Sequence, residues 1–514
     1  MCCHRCHLAL LLLLLPGLFS ACALPQPMTT LETPFPTTPA PATLTPFSSP
    51  AGVTVAPSSP IPSIPIPLAS PEPASATTQY FLQAELDYYA HTLSVAESIR
   101  YTNQAGEALP DLVLVMRPAD WAGSFQLNSL SWEDGRPIPE AEMEGAVLRI
   151  PLAQPLQPGG QVGLQLSYTL RLPEILSDEL GSRPLSYGYT ERQANLVDWY
   201  AFLPPYHSGM GWLAHPPAVT GEHLVYDLAD FEVEVTLAEE VPGLVIAASA
   251  PAAQEGLTHT YSLPAARAFA WSASPYYQVL VQPVGETVVS SYFFPYNAAA
   301  GQEVLQTTAQ ALALYNALLG TYPRPSLSAV VADFPDGMEY SGLYFISRDY
   351  YEWYDGSSRG YLTTIAAHET AHQWWFEQVG NDQALEPWLD EGLCTYMESL
   401  YYASLDAQST PQGSQPYLDW WWYFRVELYA PSGRLDGTVY DFPTFRAYRD
   451  AVYLRGAQFL EALRQQIGDE AFLAFLRAYA TEMSGHLATS EDFFRLLGEY
   501  SPDYRTIKEI YFSP

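Results

Sequence analysis

The sequence predicts an α+β multidomain protein in which an antiparallel β domain precedes a mainly helical one. Three observations carry this. Short segments of alternating apolar and polar residues recur between turn residues from Gln79 to about residue 285. A helical period with Ala- and Leu-rich faces takes over at residues 297–320 and, after a further strand, returns through most of the remaining chain. Within that helical part His368 and His372 stand four residues apart in an HExxH string, a spacing that puts both on one helix face. At 514 residues, with 48% hydrophobic and 14% aromatic, the chain has material for two or three cores of this kind.

Residues 1–21 belong to neither domain. They carry Arg5 between His4 and His7, run apolar through LALLLLLLPGLF and end in Ser20 and Ala21. The stretch is too short to span a bilayer and reads as an export signal. Cys22 follows at once and looks like the lipidated cysteine of a bacterial lipoprotein, so the expectation is an extracytoplasmic chain held at the cell membrane by an N-terminal lipid anchor, with ordinary secretion as the alternative. Residues 22–78 are rich in Pro, Ser and Thr and nearly free of charge, which predicts an extended, disordered linker that holds the folded part off the membrane. Cys2, Cys3, Cys6 and Cys22 leave Cys394 as the one cysteine further on, so no disulfide framework is legible and Cys394 is expected to pack as a small buried side chain.

In residues 79–285 the segments QYFLQAELDYY, SVAESIRYTN, LPDLVLVMRP, GAVLRIPL and QVGLQLSYTLRL alternate as strands with one buried face, and similar segments follow as far as YYQVLVQPV. From 286 to 514 the helical part begins with NAAAGQEVLQTTAQALALYNALLG. YPRP breaks that helix, and LSAVVADF reads as a buried strand leading into DGMEYSGL.

The chemistry concentrates between Ile365 and Glu398. A second helix carrying Glu391, with eighteen residues intervening after His372, adds a carboxylate to the two imidazoles and leaves a fourth position open, the ligand set of one hydrolytic zinc ion. His368, His372 and Glu391 are therefore the expected ligands. Glu369, beside them but not a ligand, is expected to act as general base toward a water whose pKa the ion lowers. Trp374 and Trp375 are expected in the core beside the site, and Asp382 and Asp390 are weaker candidates for supporting it, each more often simply solvated.

The motifs HETAHQW and WLDEG resemble those of the gluzincin aminopeptidases, the zinc metallopeptidase group that includes aminopeptidase N and leukotriene hydrolase. The resemblance runs over about residues 79–514. It implies that the β domain, notably LDYYAHTLSVAESIRYTN, is a saddle domain and that the helical part is a thermolysin-like zinc-peptidase domain. It also implies that Met338 and Glu339 occupy the place of the family's GAMEN edge strand, where the Glu binds the free α-amine of a peptide substrate. Tyr340 stands where the family has Asn. By the same resemblance Tyr453, ahead of Leu454, Arg455 and Gly456, stabilises the oxyanion, with Tyr448 in reserve. Glu398, seven residues after Glu391 and on the same helix face, hydrogen-bonds a ligand histidine, a role that geometry and family both suggest. In the classical family an acidic segment near the amine corresponds to residues 196–212; its acids do not match here, and Glu191, Asp198 and His207 are candidates for the cleft, each more readily read as a surface or loop residue. The WWWYF run at Trp420–Phe424 is expected in helix core. No segment remains for the family's C-terminal helical-repeat domain, which implies a short form with a more open site.

The charge of −34 argues against nucleic acid as a partner, since phosphates would be repelled. The expected activity is removal of N-terminal residues from extracytoplasmic peptides. The alternatives are an endopeptidase of the same fold and a non-catalytic surface-anchored module that keeps zinc for structure. Oligomeric state and side-chain preference have no signature in the sequence.

Overall fold

The computed structural model describes residues 78–175, 186–408, 415–501 and 503–512. The predicted leader, Cys22 and the linker lie outside the described residues, except that Thr78, assigned to the linker, is buried and opens the first strand. No helix among the described residues is long and apolar enough to cross a membrane.

The β domain is built around a seven-stranded sheet whose alternating sequence sets its faces. In the strand Thr78–Asp87, Tyr80, Leu82, Ala84 and Leu86 point inward and are buried, while the residues between them are exposed. This strand pairs antiparallel with Thr92–Thr102 and parallel with Ala229–Leu237; the other pairings described in the sheet are antiparallel. A three-stranded and a four-stranded sheet pack in the same domain. The register places one acid inward: Glu97 is buried, with Oε2 accepting from Tyr168 Oη at 2.7 Å and from the Ala201 amide at 3.1 Å.

The second sheet has five strands in the order Gln278–Val284, Thr287–Phe293, Ser326–Ala332, Leu343–Ser347, Gly337–Tyr340. Its first two strands form an antiparallel hairpin turning at Gly285. The expected boundary at 285 therefore cuts a hairpin, and the division falls before Gln278; strand periodicity marks a strand but not the sheet it joins. Gly337–Tyr340 is the edge strand and pairs with Leu343–Ser347 alone.

Helix α1 (Ala298–Leu319) packs on this sheet and on α2 (Tyr361–Ala371), the helix of the HExxH string. Helix α3 (Glu391–Gln408) begins at the expected ligand. The Tyr315 hydroxyl of α1 lies 3.2 Å from the carbonyls of both Ala367 and Met397, holding the two ligand helices against the first. The helix Arg455–Ile467 then crosses α3 where glycine meets glycine. A Cβ on Gly456 would stand 2.6 Å from the Gly392 Cα, so this approach requires glycine at 456 and leaves little room at 392.

The two domains are joined by buried arginines. Arg267 is 3% exposed and donates to the carbonyls of Tyr226, Glu377 and His486 at 2.9–3.0 Å. Arg324, held by a buried ion pair with Glu377 of its own domain, donates to the β-domain carbonyls of Pro264 and Ala265 at 3.1 and 2.9 Å.

Candidate metal centre

Three elements bring the motif residues together. His368 and Glu369 lie on the last turn of α2, and His372 follows at its C-terminal boundary. The chain then reverses through Phe376, whose φ of 136° is rare for a non-glycine residue, and the reversal returns the Trp375 carbonyl to 3.0 Å from His372 Nδ1. Pro387–Leu389 forms a single 3₁₀ turn that delivers Glu391 to the start of α3.

Glu391 Oε2 lies 3.0 Å from His368 Nε2 and 3.6 Å from His372 Nε2. One donor atom from each of the three residues falls within 4.8 Å of the others, and all three side chains are buried. Both Nδ1 atoms are already engaged: that of His368 with Glu398 Oε1 at 2.8 Å, that of His372 with the Trp375 carbonyl and, at 2.7 Å, with Asp390 Oδ1. That leaves both Nε2 atoms and one carboxylate directed at a common point, the donor set that suits zinc, with the outer partners fixing each imidazole tautomer. The residues fit the ion.

Electrostatics follow from burial without solvent. Burial would raise the Glu391 carboxyl, but the hydrogen bonds and charges of the two histidines hold it well below the usual range. Burial would lower His368, yet its bonds to Glu391 and Glu398 push it up to about 9. Because ligation requires neutral imidazole, metal uptake must release protons here. Burial pushes Glu369 well above the usual carboxylate range, opposed by both histidines.

The remaining expected site residues cluster around this triad. Glu369 Oε2 is buried and has no hydrogen-bond partner among the described residues. Its approach to the edge strand requires Gly337, where a Cβ would stand 2.1 Å from Glu369 Oε1. Glu339, 5% exposed, sits with Glu369 and His372 on the far side of the triad, and burial pushes its carboxyl up to about 7. Met338 is half-buried and lines the cleft. Tyr453 donates to Glu391 Oε1 at 2.5 Å and stacks on the His368 ring at 5.9 Å. It is carried by a π-helical turn, Asp450–Leu454, inserted between two α-helical segments. Tyr448 is fully buried against Gly221 and does not line the cleft.

Glu398 is fully buried and accepts from Arg425 Nε and Nη2 at 2.9 and 2.8 Å and from Trp421 Nε1 at 2.9 Å. Burial would raise its carboxyl, but Arg425 and His368 keep it low. The WWWYF run thus meets the site through Trp421, while Tyr423 and Phe424 are exposed. Trp374 and Trp375 are fully buried, and Cys394 is buried with its thiol 3.7 Å from the Trp375 carbonyl.

One expectation is corrected, and the less favoured cleft reading of three others falls away. Asp390 and Asp382 are not solvated: Asp390 is 1% exposed beside His372, with Oδ2 accepting from Gln383 at 2.7 Å, and Asp382 pairs with His215 at 2.8 Å. The three candidates from the β domain do not line the cleft. Glu191 and His207 are exposed, and Asp198 accepts from Tyr226 Oη at 2.6 Å. Residues missed in the sequence are Gln383, Gly337, Trp421 and Arg425, while Asp390 was only a weaker candidate; Gln383 donates to both Glu339 and Asp390, and its position in a loop gave no periodic signal. The cleft itself measures about 620 Å³, with walls that include Glu339, Glu369, Tyr453, Tyr361 and Phe445.

Comparison with known proteins agrees with this geometry. Residues 303–513 match the peptidase family M1 domain. Human aminopeptidase O is 24% identical over 236 residues, covering 41% of this chain and 28% of that protein. Rice aminopeptidase M1-D (Oryza sativa subsp. japonica) is 27% identical over 218 residues, covering 39% and 24%. The chain thus spans about a quarter of the length of the curated relatives it matches. Among solved structures, the M1 zinc metallopeptidase of Deinococcus radiodurans superposes with a TM-score of 0.60 at 19% identity, covering 85% of this chain and 93% of that one. A mutant of the same enzyme bound to a Tyr-Ser-Ala substrate gives 0.59 at 20% identity, covering 85% and 94%. These likenesses establish a two-domain fold with a β-rich N-terminal part and a helical catalytic part.

Proposed function

We propose that this chain, whose residues 303–513 are a peptidase family M1 domain, is a zinc aminopeptidase that removes N-terminal residues from peptides. His368, His372 and Glu391 would hold one zinc ion, which supplies Lewis acidity that polarises a scissile carbonyl and makes water nucleophilic near neutral pH. Glu369 Oε2, buried and unpartnered among the described residues, takes the proton of the attacking water and returns it to the leaving amine. The Tyr453 hydroxyl, within hydrogen-bond reach of a ligand carboxylate, donates to the oxyanion as it develops. A purely structural metal site has no use for an unpaired base, so the state of Glu369 favours catalysis over a surface module.

The observation that carries the exopeptidase reading is Glu339. An acid on an edge strand, buried beside the base and a ligand histidine, can pair with the ammonium of a peptide N-terminus and so fix which bond reaches the site. We read the β part as a saddle domain and the helical part as thermolysin-like. The substrates are read as extracytoplasmic, with the chain lipid-anchored through Cys22 or else secreted; this part rests on the sequence of residues 1–22.

The test compares zinc-loaded protein on matched peptides with free and acetylated N-termini. Stepwise cleavage of the free peptides alone is expected. Internal cleavage of both would make the enzyme an endopeptidase, and silence on both would sink the catalytic reading.

A further inference from the structure

The cleft extends away from the triad between two helical stripes. On α2, Tyr361, Ile365 and His368 follow one another on one face and all line the cavity. Opposite, Phe445, Arg449 and Tyr453 line it at four-residue spacing along the helix Phe445–Arg449 and the π-helical turn that continues it. The outer ends of the stripes are tied together: the hydroxyls of Tyr361 and Tyr429 are 2.8 Å apart, and the Arg449 guanidinium lies 4.2 Å from the centre of the Tyr429 ring.

Arg449 is an incompletely neutralised cation in a chain of net charge −34. It donates to Asp450 Oδ1 from Nη2 at 2.8 Å and from Nε at 3.3 Å, but the other oxygen of that carboxylate accepts from Arg446 Nε at 2.9 Å, so one anion serves two guanidiniums. The Arg449 side chain is 19% exposed, as expected of a group facing a cleft and not bulk solvent. The other guanidinium of the cavity, Arg425, is paired through Nε and Nη2 with both oxygens of a carboxylate of its own, Glu398.

Position sets the length of what would bind. Glu339 clusters with His372 and Glu369, whereas Tyr453 stacks on His368 and donates to Glu391. Arg449 lies one turn beyond Tyr453, about 6 Å of helix rise, which corresponds to roughly two residues of extended peptide. We propose that Arg449 is a specificity-determining residue that binds the C-terminal carboxylate of a short peptide, so that the preferred substrates are free peptides of about three residues, with the amine at Glu339, the scissile bond at Tyr453 and the carboxylate at Arg449. This rests on the aminopeptidase reading above.

The experiment measures kcat/KM for three tripeptides sharing a free N-terminus: the free acid, its C-terminal amide, and an amide with Glu in the third position. The free acid is expected to be favoured over the plain amide by about tenfold or more, chiefly through KM. In Arg449→Met that ratio should fall below about threefold, and Arg449→Lys should restore part of it. Equal rates on acid and amide in the wild type, or an undiminished ratio in Arg449→Met, would overturn the assignment. A Glu-amide as good as the free acid would assign the carboxylate to a side chain and overturn the terminal reading. The same peptides are titrated calorimetrically into zinc-loaded Glu369→Gln protein. Absence of cleavage by the wild type then counts against the aminopeptidase reading, while the acid-to-amide affinity ratio in the variant decides Arg449 separately.

Discussion

Glu369 and Tyr453 differ in what surrounds their polar atoms, and that difference assigns their roles. Glu369 Oε2 has no partner among the described residues, so a water in the cleft is its natural one. Replacing Glu369 with Gln keeps the shape and leaves His368, His372 and Glu391 intact. Zinc content measured by metal analysis should stay near one per chain, while kcat falls by about 10²–10⁴-fold; retained turnover would remove the base from the mechanism. Tyr453 holds its proton toward Glu391 Oε1, and burial raises its phenol well above the usual range, which keeps it a donor. Tyr453→Phe should lower kcat by about 10²–10³-fold with a smaller effect on KM. Glu369 was legible because its type and spacing within HExxH are chemically restrictive, and Tyr453 only through the family resemblance. Asp390 was a weaker candidate, since an acid before a helix reads equally well as solvated, and only the fold turns its carboxylate toward His372 Nδ1.

At the level of elements, the site depends on how closely two helices cross. Glu391 opens α3 and Tyr453 precedes Arg455–Ile467, and the contact of Gly392 with Gly456 is what lets the phenol reach the carboxylate. A methyl on Gly456 meets backbone, which cannot move aside as a side chain would. Gly456→Ala is therefore expected to cost about 1–3 kcal/mol of stability by overpacking. It should also reduce kcat/KM at least tenfold, a loss that unfolding alone, followed by thermal denaturation, would not produce at 25 °C. The π-helical turn under Tyr453 and the reversal at Phe376 serve the same end. Neither has a sequence signature of its own, because a helical period marks a helix but not an extra residue in one of its turns.

For the molecule as a whole, the inward acid of the β domain gives a test of stability against pH. Glu97 has an ordinary value of 4.5 and is raised to about 8, first by burial, against which the bonds from Tyr168 and Ala201 act in opposition. Between those values the unfolded chain has lost the proton that the folded chain keeps, so stability must fall as pH rises through that window, by up to about 4 kcal/mol. Glu97→Gln has no proton to lose. Urea unfolding of both proteins from pH 5 to 8 should show the wild type losing stability relative to the variant, and parallel curves would refute the account. The sequence by itself determined the order β domain then helical domain and the grouping of His368, Glu369, His372 and Glu391, whereas the edge-strand acid was reached through the family resemblance. The grouping depends on short-range spacing and on the restricted chemistry of His and Glu. Tertiary structure alone decided which sheet the hairpin at Gly285 joins, that Arg425 and Gln383 support the site, and that Asp390 does so instead of facing solvent. Those outcomes depend on contacts between segments tens to hundreds of residues apart, and no local period or propensity encodes such a meeting.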